Sequence, residues 1–192
     1  MSTTIRYLRV CDRHTCLQLA CEKYGSINIV KLLLSIEDIK VNLISESNSR
    51  CALHLACQYG HIDIIKLLFE HTITHQIDWN IRSDKRRTPF LQVCYSGQIE
   101  ILKIFLDNPS YIDWTATVIG WDGEDGWNGL HLALYENIYE TAYVDLAYLI
   151  FNCPVCKDLV SNFISSNIFG DPPLHFACKY AYCIHEDCQI DS

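Results

Sequence analysis

A chain of 192 residues, 49% of them apolar and with a formal net charge of −8, suits a folded soluble body and argues against a disordered tail. Its acidity excludes general binding of a phosphate backbone, which rests on clustered Lys and Arg, so no nucleic-acid partner is expected. Met1 to Val10 lacks the apolar run of a signal peptide, and stretches such as Leu146 to Phe151 are too short to cross a bilayer, so no membrane partner is expected either.

Residues 1–14 carry Ile5, Tyr7, Leu8 and Val10, enough to cover one open apolar face as an N-terminal cap. From Thr15 onward the chain repeats. Thr15-Cys-Leu-Gln-Leu-Ala-Cys precedes Gly25, Cys51-Ala-Leu-His-Leu-Ala-Cys precedes Gly60, and Thr88-Pro-Phe-Leu-Gln-Val-Cys precedes Gly97. After each glycine comes a polar residue, Ile, Asn/Asp/Glu, Ile, an aliphatic residue and Lys. Weaker copies follow at Asn128-Gly-Leu-His-Leu-Ala133 with Val144 to Ile150, and at Pro172-Pro-Leu-His-Phe-Ala-Cys178. The motif leucine falls at Leu17, Leu53, Phe90, Leu130 and Leu174, in steps of 36, 37, 40 and 44 residues.

Each copy predicts a helix pair. Thr88 is suited to cap the free N–H groups of a first helix and Pro89 to fill its first position. Cys51-Ala52 and Asn128-Gly129 fill those slots less well. The first helix, seven or eight residues long, stops where Gly25, Gly60 or Gly97 accepts a positive φ, with Asn137 in that place in the fourth copy. The second helix is apolar on most sides: Ile62, Ile64, Ile65, Leu67, Leu68 and Phe69 leave only Asp63 and Lys66 polar. Such a helix is buried between neighbours. Cys21, Cys57, Cys94 and Cys178 share one slot of the first helix, so they read as packing positions. An odd total of eleven cysteines without a signal peptide points to reduced thiols in the cytoplasm or nucleus.

A period in the thirties with a T-P-L-H-x-A core resembles the ankyrin repeat, from about Asp12 to the end. The resemblance implies an all-α solenoid of stacked helix pairs joined by hairpin-like finger loops. It forms one domain, with a cap at 1–14 and repeats at about 15–48, 49–86, 87–126, 127–170 and 171–192, the last incomplete. It implies that His54, His131 and His175 are structural, tying loops and caps together; Gln18 and Leu91 replace them in the first and third copies. Residues 77–89 follow the family's D-x-N-x-x-x-D finger spacing. Ile112-Asp-Trp114 repeats Ile77-Asp-Trp79, which puts both tryptophans at finger bases. The fourth copy also carries an insertion from Ile138 to Ala142.

The function the resemblance implies is non-catalytic binding of another protein through finger tips and concave face, by a monomer without cofactors. Interface energy concentrates on Trp, Tyr and Arg. The candidate contacts are therefore Arg86, Arg87, Trp121 and Trp127 on the tips, with Tyr59 and Tyr95 on the first helices. The run from Arg82 to Arg87 is preferred as a solvated finger tip over a nucleic-acid patch or nuclear-import signal. Two other functional classes stay open. The fifth copy stops at Gln189-Ile-Asp-Ser192, the first turn of a second helix, which suits a targeting fragment of a larger enzyme, channel or ubiquitin-ligase adaptor. Cys153, Cys156, His175, Cys178, Cys183, His185 and Cys188 contain enough ligands for a zinc module. No Gly-rich phosphate loop, nucleophile elbow or HExxH is present.

Overall fold

The structure is a computed structural model and describes residues 9–10, 14–22, 24–46, 49–119, 126–135, 141–152, 170 and 172–173. A two-residue ladder opens it, β1 (Arg9–Val10) antiparallel to β2 (His14–Thr15). Most of the expected cap, including Ile5, Tyr7 and Leu8, lies outside the described residues.

Among the described residues four helix pairs follow, the first two being α1 (Cys16–Ala20) with α2 (Ile27–Leu34), and α3 (Ala52–Tyr59) with α4 (Ile62–Glu70). A one-turn α5 (Thr72–His75) extends the second pair. Next come α6 (Pro89–Tyr95) with α7 (Ile99–Asp107), then α8 (Gly129–Tyr135) with α9 (Thr141–Asn152). First helices stack in the order α1, α3, α6, α8 and second helices in the order α2, α4, α7, α9. The core is correspondingly continuous along the stack, and Leu33, Leu68 and Phe105 are all buried in it.

The helix ends follow from local chemistry. Thr15 Oγ1 accepts from Gln18 N–H and Thr88 Oγ1 from Leu91 N–H. Asn128 proves a better cap than expected, its Oδ1 accepting from Leu130 and His131 N–H. Gly60 ends α3 at φ 74°, after which His61 N–H reaches back to Ala56 C=O at 3.0 Å. Gln98 N–H repeats that bond to Val93 C=O. The first repeat departs from this length: α1 has five residues, and the extra position before Gly25 is taken up in a turn closed by Gly25 N–H on Glu22 C=O.

Burial in the second helices records the stacking. Ile64 and Leu67 of α4 are buried on the side where α2 packs. Their counterparts on α2 are Ile29 and Leu32, and Leu32 is 68% exposed, because no described helix lies on that side of α2. At roughly 1.5–3 kcal/mol per large side chain removed from water, these inter-repeat faces are the main source of stability.

Candidate protein-binding surface

Between repeats the chain makes fingers whose bases are aromatic or aliphatic. Val41, Trp79 and Trp114 hold one slot and all are buried. Trp79 stacks on Phe69 at 3.7 Å with 11° between planes, and its indole N–H donates to Thr72 Oγ1. Trp114 packs edge-on against Phe90 and donates to Pro109 C=O. Both tryptophans are thus internal supports, as expected.

The first and second fingers are each fastened to the next by an asparagine. Asn42 Nδ2 donates to Gln76 C=O at 2.8 Å while its Oδ1 accepts from Asp78 N–H at 3.0 Å. Asn80 does the same one repeat later, to Tyr111 C=O at 3.0 Å and from Asp113 N–H at 2.7 Å. Thr115 stands in that slot on the third finger and bonds Asp113 within its own finger.

The returning arms close at equivalent places, with Ser45 N–H on Arg50 C=O, Ser83 N–H on Arg87 C=O and Val118 N–H on Trp127 C=O. Arg50, Arg87 and Trp127 therefore share one slot, directly before the residue that caps the next first helix. Their side chains fold inward over that helix: Arg50 Nη1 donates to Gln58 Oε1 at 2.6 Å, and the Arg87 guanidinium lies 3.7 Å from the centre of the Tyr95 ring. Trp127 stacks by His131 at 6.3 Å. The slot is anchored from below. His54 Nε2 donates to Arg87 C=O at 2.9 Å, and Gln18 Nε2 in the first repeat donates to Leu43 and Arg50 C=O. His54 is thus structural, and Gln18 fills the same slot in the first repeat.

This geometry sorts the contact residues proposed from sequence. Arg86 is exposed, in the left-handed region at φ 54°. Tyr59, at the end of α3, is 38% exposed. Tyr95 is half-buried beneath Arg87. Arg87 at 3% and Trp127 at 4% exposure are internal, which corrects the expectation that they face a partner. Trp121 lies outside the described residues. Two exposed aliphatics that sequence reasoning passed over, Ile44 and Ile119, stand on the first and third fingers.

The described charges and buried thiols serve structure. Arg82 pairs with Asp113 at 3.4 Å, half in solvent, a contact worth about 0–1 kcal/mol. Burial pushes the thiols of Cys21 to about 12 and Cys51 to about 11, and that of Cys57 well above its ordinary value, so all three stay protonated packing groups. Among the described residues no group of three or more His, Cys, Asp or Glu is placed to hold a metal ion. The suggested zinc ligands, Cys153, Cys156, His175, Cys178, Cys183, His185 and Cys188, lie outside them. A polar groove of about 440 Å³ runs along Glu37 to Leu43, but Asn42 and His75 within it are already bonded to Gln76 and Leu34 C=O.

Family models for ankyrin repeats match residues 2–77 (three copies) and 53–106 (many copies), together residues 2–106. The chain belongs to the ankyrin repeat family. No curated protein matches its sequence. Ankyrin repeats are generally protein–protein interaction modules and typically non-catalytic, and in this ankyrin repeat chain no described helix is long and apolar enough to cross a membrane.

Proposed function

We propose that this chain is a monomeric binding scaffold or adaptor in the cytoplasm or nucleus, gripping another protein with its finger tips and concave face and performing no chemistry of its own. The observation that carries this reading is the division of labour in the fingers. Asn42, Asn80, Trp79 and Trp114 fix the bases, while Arg86 and Tyr59 stay at the surface above them. Rigid presentation of Arg and Tyr is what concentrates binding energy at an interface.

The test is residue-specific photo-crosslinking in cells. A crosslinker at Arg86 or Tyr59 is expected to trap a partner, whereas one at Lys66, exposed on α4, is not. Equal yields from all three positions remove the finger side as the binding face. Sedimentation at micromolar concentration checks the monomer.

A further inference from the structure

Deepening the protein-binding reading just proposed, and resting on it, we infer that the finger row recognises an extended peptide segment with an acidic side chain flanked by two apolar ones. The second finger carries four cations between Arg82 and Arg87, and two are used internally. Arg82 reaches Asp113 at 3.4 Å and the Arg86 and Thr117 carbonyls, and Arg87 is buried over Tyr95. Lys85 and Arg86 remain, and neither is paired with a carboxylate among the described residues. Asp84, itself exposed, accepts the Lys85 N–H at 2.8 Å.

On either side of this cationic tip stands an exposed isoleucine. Ile44, 45% exposed, lies two residues past the fastening residue Asn42 on the first finger. Ile119, 47% exposed, lies on the third finger, its N–H donating to Lys85 C=O at 3.3 Å. Packed helices sit about 8–10 Å apart, so first and third fingers are separated by about 20 Å. A strand advances about 3.3 Å per residue and alternates its faces, so the two apolar side chains of the partner stand about six residues apart, with the carboxylate on the same face about two residues from one and about four from the other. Charge complementarity selects the acid, because a cation there would be repelled by Lys85 and Arg86. Two cations between isoleucines are too few to follow a phosphate backbone, whose affinity grows with each phosphate neutralised.

The experiment is selection from a random peptide library displayed on phage against the intact chain, followed by fluorescence anisotropy on the selected peptides. Enrichment of Asp or Glu with an apolar residue about two positions to one side and about four to the other is expected. The double variant Lys85→Glu, Arg86→Glu should lose at least tenfold in affinity, and changing the peptide's acid to Lys should recover most of it. Ile44→Ser and Ile119→Ser should each lose three- to tenfold, with circular dichroism melts unchanged because all four positions lie near or at the surface. Selected peptides without an acid between the apolar residues, a charge swap within twofold of wild type, or no binder at all overturns the inference. If binding is lost on Tyr59→Ala but not on the charge swap, the acidic motif falls and the finger-side reading stands. If it is lost only on Lys66→Glu, both fall.

Discussion

His54 Nε2 lies 2.9 Å from the carbonyl oxygen of Arg87, so a buried imidazole in one repeat holds the last residue of the finger that leads to the next. Its Nδ1 accepts the Cys51 N–H at 3.4 Å, which places the proton on Nε2. Charging this ring would leave an imidazolium in the core, and burial accordingly holds its pKa down to about 4 from 6.5. The unfolded chain therefore binds a proton between those values that the folded chain refuses, and the stability His54 contributes is lost as pH falls from about 6.5 toward 4. The loss is about 2 kcal/mol at pH 5 and about 3 kcal/mol over the whole window. Gln18 already fills this slot in the first repeat, so His54→Gln should match wild type within about 1 kcal/mol at pH 7 and exceed it at pH 5. Urea unfolding at both pH values measures this; parallel pH profiles for the two proteins contradict it.

The asparagine fastenings predict a nearest-neighbour pattern of local opening. Asn80→Ala frees Tyr111 C=O and Asp113 N–H, both within reach of water, so the cost should be about 1 kcal/mol rather than that of an orphaned core group. Asn42→Ala should cost about the same through Gln76 and Asp78. Thr115→Ala, which breaks only a bond within its own finger, should cost less than about 0.5 kcal/mol. Hydrogen exchange gives the sharper readout: Asn80→Ala should speed the Asp113 amide and leave Asp78 alone, and Asn42→Ala the reverse. Acceleration of both amides by either variant means the joints are not independent.

The stack was legible in the sequence because its cause is local and recurs: a second helix such as Ile62 to Phe69 has too much apolar surface for one neighbour to cover. The same holds for Trp79 and Trp114, whose shared Ile-Asp-Trp setting marks one slot, and for the cysteine slot. The roles of Arg87 and Trp127 were harder to read, because finger length varies and hides the register. Counting backward from each helix start aligns Arg50, Arg87 and Trp127, and that alignment alone signals an inward-facing position. A charged residue beside Lys85 and Arg86 otherwise reads as solvated. The double bonding of Asn42 and Asn80 left no mark beyond a polar residue in a loop, since its partners are backbone atoms about 30 residues away.

A close approach between repeats constrains Gly60 on two counts. Its φ of 74° strains any residue with a Cβ, and that Cβ would strike the carboxamide of Gln98, the residue that opens α7 and donates to Gln58 C=O. Gly25 repeats the relation beneath the His61 ring, which donates to Glu22 C=O at 2.7 Å. Gly60→Ala should therefore cost about 1 kcal/mol for the backbone plus a similar steric penalty. Adding Gln98→Ala should remove the steric part, so that the double variant is less destabilised than the sum of the singles. Thermal or urea melts of the four proteins test this; strict additivity means the two side chains do not meet.

Arg86 and Arg87, adjacent in sequence, should respond in opposite ways. Arg87 is nearly wholly inside, its guanidinium on the Tyr95 face and its carbonyl held by His54. Removing that side chain forfeits a desolvated cation–π contact of about 1–2 kcal/mol together with the packing of its stem. Arg87→Ala should destabilise the fold by about 2 kcal/mol or more and weaken partner binding only as far as the fold suffers. Arg86 holds an exposed left-handed position at φ 54°, where glycine pays no steric penalty, so Arg86→Gly should be neutral or stabilising by up to about 1 kcal/mol. Its effect should fall on the partner instead, as a loss of affinity with a melting curve unchanged or shifted upward. Denaturant titrations paired with binding isotherms separate the two outcomes. A destabilised Arg86→Gly, or an Arg87→Ala that melts like wild type, would place the boundary between scaffold and binding face elsewhere in this finger.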